Sequence, residues 1–140
     1  MKKSKLSIEY EYDFELTGLT CPLKGYKLAW ELNRALHIKL AKQQDVVVQF
    51  RHDQAFSFAH YDYSSTVNRV KLFRNKPSEM EGQRHFLAPE FPHFDYILST
   101  HGDESLHSNR LQEVLRDIPS IQLVAFIPLG ALKSKDYFIF

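Results

Sequence analysis

Two short His-x-Asp pairs, His60 with Asp62 and His93 with Asp95, are the residues whose spacing comes closest to chemistry. On a strand, residues two apart share a face, so each pair would present an imidazole beside a carboxylate. Were the two strands neighbours in register, the four groups would converge on a divalent ion such as Zn, Mn or Fe, with one position left for water. A small metal-dependent hydrolase would follow. The sequence has no helical H-E-x-x-H and no cysteine pair, so polar pairs at exposed or core-lining positions are the plainer account. Glu90 with Asp95, aided by His93 and Tyr96, offers a second arrangement: one buried and one solvated acid would have their pKa values pushed apart, as acid-base catalysis needs. Carboxylates in a turn more often satisfy backbone amides, and no catalytic residue is assigned. Cys21, just before Pro22, would gain thiolate character at a helix N-terminus, or would be a small buried hydrophobe. Nucleophile-elbow, phosphate-loop and dinucleotide glycine patterns are absent, and no cofactor or metal is expected.

The elements that must carry these residues are legible from periodicity. Leu6, Ile8, Tyr10, Tyr12, Phe14 and Leu16 alternate with Lys5, Ser7, Glu9, Glu11, Asp13 and Glu15, the pattern of a half-buried strand with its even positions inward and its carboxylates wet. After Gly18 and Pro22, the stripe Leu28, Ala29, Leu32, Ala35 and Leu36 predicts a helix over 23–36. Short β-prone stretches at 38–42, 46–50, 55–63 and 67–74, separated by polar turns, read as an antiparallel meander. A polar loop and an irregular crossover then lead to a strand over 94–100. Ser108 is a candidate N-cap for a second helix, with its stripe at Leu111, Val114, Leu115 and Ile118 and its stop at Pro119. A strand over 121–127 follows. With no repeat and no Gly/Ser linker, residues 1–140 read as one domain. The expectation is an α+β two-layer sandwich: a mostly antiparallel sheet of about six strands with two helices on one face.

The crossover carries the run Ala88-Pro89-Glu90-Phe91-Pro92-His93-Phe94-Asp95-Tyr96. Pro89 and Pro92 fix the backbone and disfavour helix before each ring, Glu90 is placed to accept from unpaired amides, and Tyr96 to bury its ring with its hydroxyl partnered. This run resembles the signature of a bacterial family named for its motif, IPExxxVDY. Pro89, Glu90, Asp95 and Tyr96 match, Ala88 stands for the isoleucine, and Phe94 for the valine. The helix with Tyr26-Lys27-Leu28-Ala29-Trp30, the acidic-aromatic first strand and the lysine-bearing apolar C-terminus also look like that family. The resemblance implies membership and brings no activity, cofactor or partner with it.

Composition narrows the function classes. Hydrophobic residues make up 44% and charged residues 25%, against 5 Gly and 6 Pro, which excludes a disordered or low-complexity chain. A net charge of +1 advertises no polyanion. Arg51, Arg69, Lys71, Arg74 and Lys76 lie among aromatics, as in single-strand nucleic-acid binders. Arg69 and Lys71 are equally suited to neutralising the acidic ladder of the first strand, and nucleic acid is not the expected partner. One cysteine, no apolar signal stretch after Met-Lys-Lys-Ser-Lys and no long apolar run point to a cytoplasmic protein outside the membrane. The 11 Phe, 7 Tyr and 1 Trp exceed one modest core, which favours self-association, a homodimer, or a protein partner. Tyr26 and Trp30, one helical turn apart and off the main stripe, are the candidate contact residues. Glu90, His93, Asp95 and Tyr96 are the candidates around the motif. The resulting expectation is a non-enzymatic binding or interaction module, with the hydrolase as its competitor.

Overall fold

A computed structural model of the chain describes residues 14–49, 55–76, 86–102 and 108–132. In chain order the elements are β1 (Glu15–Thr20), α1 (Gly25–Leu36), β2 (Ala41–Lys42), β3 (Val46–Gln49) and β4 (Ala55–Phe58). There follow β5 (His60–Ser64), β6 (Arg69–Arg74), β7 (Tyr96–His101), α2 (Ser108–Arg116) and β8 (Leu123–Ile127). Six strands form one antiparallel sheet in the order β2-β5-β6-β7-β1-β8, while β3 and β4 pair separately as a two-stranded sheet. The α+β class read from the sequence is the one observed, and both helices contribute to the same apolar cluster.

That cluster explains α1. Leu28, Ala29 and Leu32 are buried on the sheet together with Leu19, Val70, Leu72 and Leu98, and Leu111 and Leu115 of α2 join them. Leu19, Tyr96 and Arg74 align across β1, β7 and β6, which places Leu72 and Val70 on this helix-facing side as well. The helix ends where His37 adopts the left-handed conformation (φ 58, ψ 48). Asn33 then holds the departing chain, its Oδ1 accepting from the Leu40 N–H at 2.8 Å.

The opposite face of the sheet is covered too. Leu16, Phe73, Ile97 and Ile127 bury themselves against Val48, Phe56 and Phe58 of the small hairpin and against Leu87 and Phe94 of the crossover. Hence β1 is buried on both sides from Leu16 to Leu19 instead of alternating in and out, and Glu15 is half-buried. Glu9, Glu11 and Asp13 lie outside the described residues.

Two expectations are corrected here. The stretch 55–63 is two strands, parted at Ala59, where the chain leaves the hairpin to join the main sheet and the Ala59 carbonyl accepts from the Arg74 N–H at 2.9 Å. Nor does β6 pair with β1: β7 stands between them, so Arg69 and Lys71 do not flank the first strand. Lys71 sits opposite Asp62 of β5 instead, and Arg69 opposite Ser64 and His101. Opposite charges directly across a strand pair attract each other, a pairing that a one-dimensional reading cannot choose over a distant ladder.

Gly18 lies in the middle of β1 between Ile97 and Ala125, and a Cβ there would clash with the edge carbons of the Phe94 ring. The ring lies on the backbone because the position has no side chain. Gly18→Ala is therefore expected to destabilise by about 1–3 kcal/mol through overpacking. Chemical denaturation checks it, and an unchanged midpoint would place Phe94 elsewhere.

Candidate functional site

Asn75, a residue the sequence did not single out, organises the run that carries the motif. It follows β6 directly and is fully buried. Its Nδ2 donates to the carbonyls of Phe91 at 3.0 Å and Phe94 at 2.9 Å, and its Oδ1 accepts from the Ala88 N–H at 2.7 Å. Its own backbone N–H donates to the Asp95 carbonyl and its carbonyl accepts from the Leu87 N–H, both at 2.9 Å. An amide with two donors and an acceptor suits an irregular turn in which no ladder pairs these groups. A polar residue at the edge of a loop gives no periodicity signal; only the burial of its surroundings reveals it.

The motif residues divide by role. The Asp95 Oδ2 accepts from the Cys21 N–H at 2.9 Å, and its Oδ1 lies 3.4 Å from the Lys76 ammonium. Its backbone N–H reaches the Leu19 carbonyl at 2.8 Å, which ties the crossover to the end of β1. Tyr96 is buried on the helix-facing side, and its hydroxyl donates to the Leu23 carbonyl at 2.6 Å, fixing the entry to α1. Burial, outweighing the nearby Arg74 cation, pushes the Tyr96 phenol up to about 12. Glu90 is half-buried in the turn between Pro89 and Phe91. His93 is exposed, its ring 4.3 Å from that of Phe94, and its carbonyl accepts from Thr20 Oγ1 at 3.2 Å. Asp95 and Tyr96 thus serve the backbone. Cys21 is buried in the helix-side cluster ahead of α1, the place of a small core hydrophobe.

The two His-x-Asp pairs do not meet. His60 and Asp62 share a face of β5 as expected, but β6 separates that strand from β7, and Phe73 fills the gap with its ring stacked on His60 at 4.9 Å. Two interstrand spacings, about 9–10 Å, are too far for shared ligation. His93 and Asp95 precede β7 in a turn, where the two-residue face rule does not hold. Among the described residues no group of three or more His, Cys, Asp or Glu side chains is placed to hold a metal ion. Burial, followed by the Lys71 charge, holds the His60 imidazole below its ordinary value, and burial does the same to the Lys71 ammonium. Asp62, Lys71 and Ser99 form a cross-strand polar row on the hairpin side of the sheet.

Tyr26 and Trp30 stand apart from this internal bonding. They are 60% and 56% exposed on the outer side of α1. With Leu23, Lys27 and Glu31 they line a shallow, mostly apolar depression of about 420 Å³. Arg34 lies 4.8 Å over the Trp30 ring and 4.0 Å from Glu31, so the indole is braced on one side by a cation. Glu31 and Arg34 also border a second cleft of about 570 Å³, which reaches Val114, Asp117 and Ile118 beside α2. No helix among the described residues is long and apolar enough to cross a membrane.

No family model matches the chain, and no curated protein matches it.

Asn75→Ala is expected to destabilise by about 3 kcal/mol or more, since it strands two carbonyls and an amide in the interior, and calorimetry reads the loss directly. Tyr96 makes a pH prediction. Its folded value lies above the ordinary 10.0, so the native state holds the proton longer than the unfolded chain. The resulting stability is complete below about pH 10 and disappears as the pH rises through about 12. Tyr61 is shifted in the same direction by burial, so the informative quantity is a difference. Tyr96→Phe should lose less stability than the wild type across that window, and parallel profiles would remove the effect from Tyr96.

Proposed function

We propose that this chain is a non-enzymatic interaction module of the cytoplasm, a member of the IPExxxVDY family that works as a homodimer and docks a protein partner on the outer side of α1. One observation carries the reading: two large aromatic side chains, Tyr26 and Trp30, stand more than half exposed one helical turn apart beside an apolar depression. Such residues dominate binding energies where they are found in interfaces, because they bury large areas with few rotatable bonds. The titratable motif residues support the same direction, since the Asp95 carboxylate and the Tyr96 hydroxyl are engaged with backbone groups of Cys21 and Leu23.

Charge describes the partner. Lys24, at the N-cap of α1, and Lys27, in its first turn, are exposed, while Glu31, the carboxylate lining the depression, lies beside Arg34. A segment with one apolar or aromatic side chain for the depression and acidic neighbours for the two lysines fits this rim.

Affinity purification from the native host, with wild type and Tyr26→Ala/Trp30→Ala in parallel, tests the reading. Both side chains are exposed, so the double variant should melt with the wild type. A bound protein should fall by about tenfold or more on the variant, the equivalent of losing one modest contact residue. Equal recovery on both would refute docking at this surface, and turnover of a substrate by the purified wild type would refute the non-enzymatic reading.

A further inference from the structure

The two edges of the main sheet are built differently. One edge, β2, is two residues long and carries Lys42, so it offers little to a passing strand. The other, β8, has five residues, Leu123, Val124, Ala125, Phe126 and Ile127, with no charge and no proline. Among the described residues it pairs with β1 alone, so alternate N–H and C=O groups on its outer side face away from the sheet. Leu123 and Phe126 are 46% and 44% exposed, one on each face of this edge, since Leu123 aligns with Thr20 and Phe126 with Thr17. A long uncharged edge with apolar side chains on both faces lacks the lysines, prolines and bulges with which sheets discourage pairing.

We propose that β8 is the homodimer interface, and that two copies join edge to edge into one continuous antiparallel sheet of twice the width. This inference rests on the homodimer part of the reading above and is independent of the α1 surface. The occupant is a second copy because the strand is its own complement. A two-fold axis at Ala125 sets Leu123 beside Ile127 of the other copy and Val124 beside Phe126, apolar against apolar throughout. That register pairs all five residues, and with no charge on the strand a two-fold arrangement brings no like charges together. On the helix-facing side, Phe126 then lies diagonally across from the same residue of the second copy, within reach of an aromatic pair.

That diagonal makes the test specific. Sedimentation equilibrium of the full chain is expected to give a dimer for the wild type. Phe126→Lys and Phe126→Glu should each weaken dimerisation by about tenfold or more. Their mixture should restore a heterodimer, as the lysine of one copy meets the glutamate of the other. A wild type that stays monomeric at high micromolar concentration overturns the homodimer reading, and this interface with it. A dimeric wild type with either variant equally dimeric, or with no recombination in the mixture, overturns the edge assignment alone. Should the Phe126 variants not fold, Leu123→Lys carries the same reading: a monomer supports the β8 edge and an undiminished dimer refutes it.

Discussion

A buried asparagine holds the irregular part of this molecule in one conformation. Asn75 leaves β6 with its amide inside the protein, where each unmet hydrogen bond is costly, and the chain from Ala88 to Phe94 supplies its three side-chain partners. With those carbonyls and that amide fixed, Phe94 falls onto Gly18 and Asp95 onto the end of β1. Tyr96 then begins β7 with its hydroxyl against Leu23, which sets where α1 can start. A single polar side chain thereby connects β6, the crossover, β1 and the first helix, elements that lie far apart in the sequence.

This network also accounts for how the motif residues that look most chemical are engaged in the fold. Asp95 spends one carboxylate oxygen on the Cys21 amide and the other beside Lys76, and Tyr96 keeps its proton to donate to a carbonyl. Asn75, Asp95 and Tyr96 thus hold backbone, while large apolar side chains elsewhere are turned outward. Tyr26 and Trp30 on α1, and Leu123 and Phe126 on β8, form two surfaces of different kinds. The first is a side-chain surface with a basic rim. The second lies on a strand that, among the described residues, pairs on one side only, and backbone pairing accepts any strand of matching edge, including an identical one.

Much of the fold was legible from local signals. The stripe at Leu28, Leu32 and Ala35 and the stripe at Leu111 and Leu115 are helical because their spacing repeats every turn, and both helices lie where that spacing puts them. The strands at Val46–Gln49, Arg69–Arg74 and Leu123–Ile127 were equally visible from their β-branched and aromatic content. In the candidate site, the exposure of Tyr26 and Trp30 could be read from their position off the buried stripe, and so could the structural use of Tyr96.

Sequence alone determined both helices, the location of most strands, the α+β class and the aromatic pair on the first helix, because each depends on neighbours a few residues apart. Tertiary structure decided the strand order, and strand order decided which residues meet. Placing β6 between β5 and β7 keeps His60 from His93, and placing β7 between β6 and β1 gives Lys71 to Asp62 and not to the first strand. The break at Ala59, the role of Asn75 and the place of β8 at the end of the sheet order were likewise invisible in one dimension. Each depends on what lies across a sheet or beneath a loop, contacts set by burying two apolar faces at once and not by any local pattern.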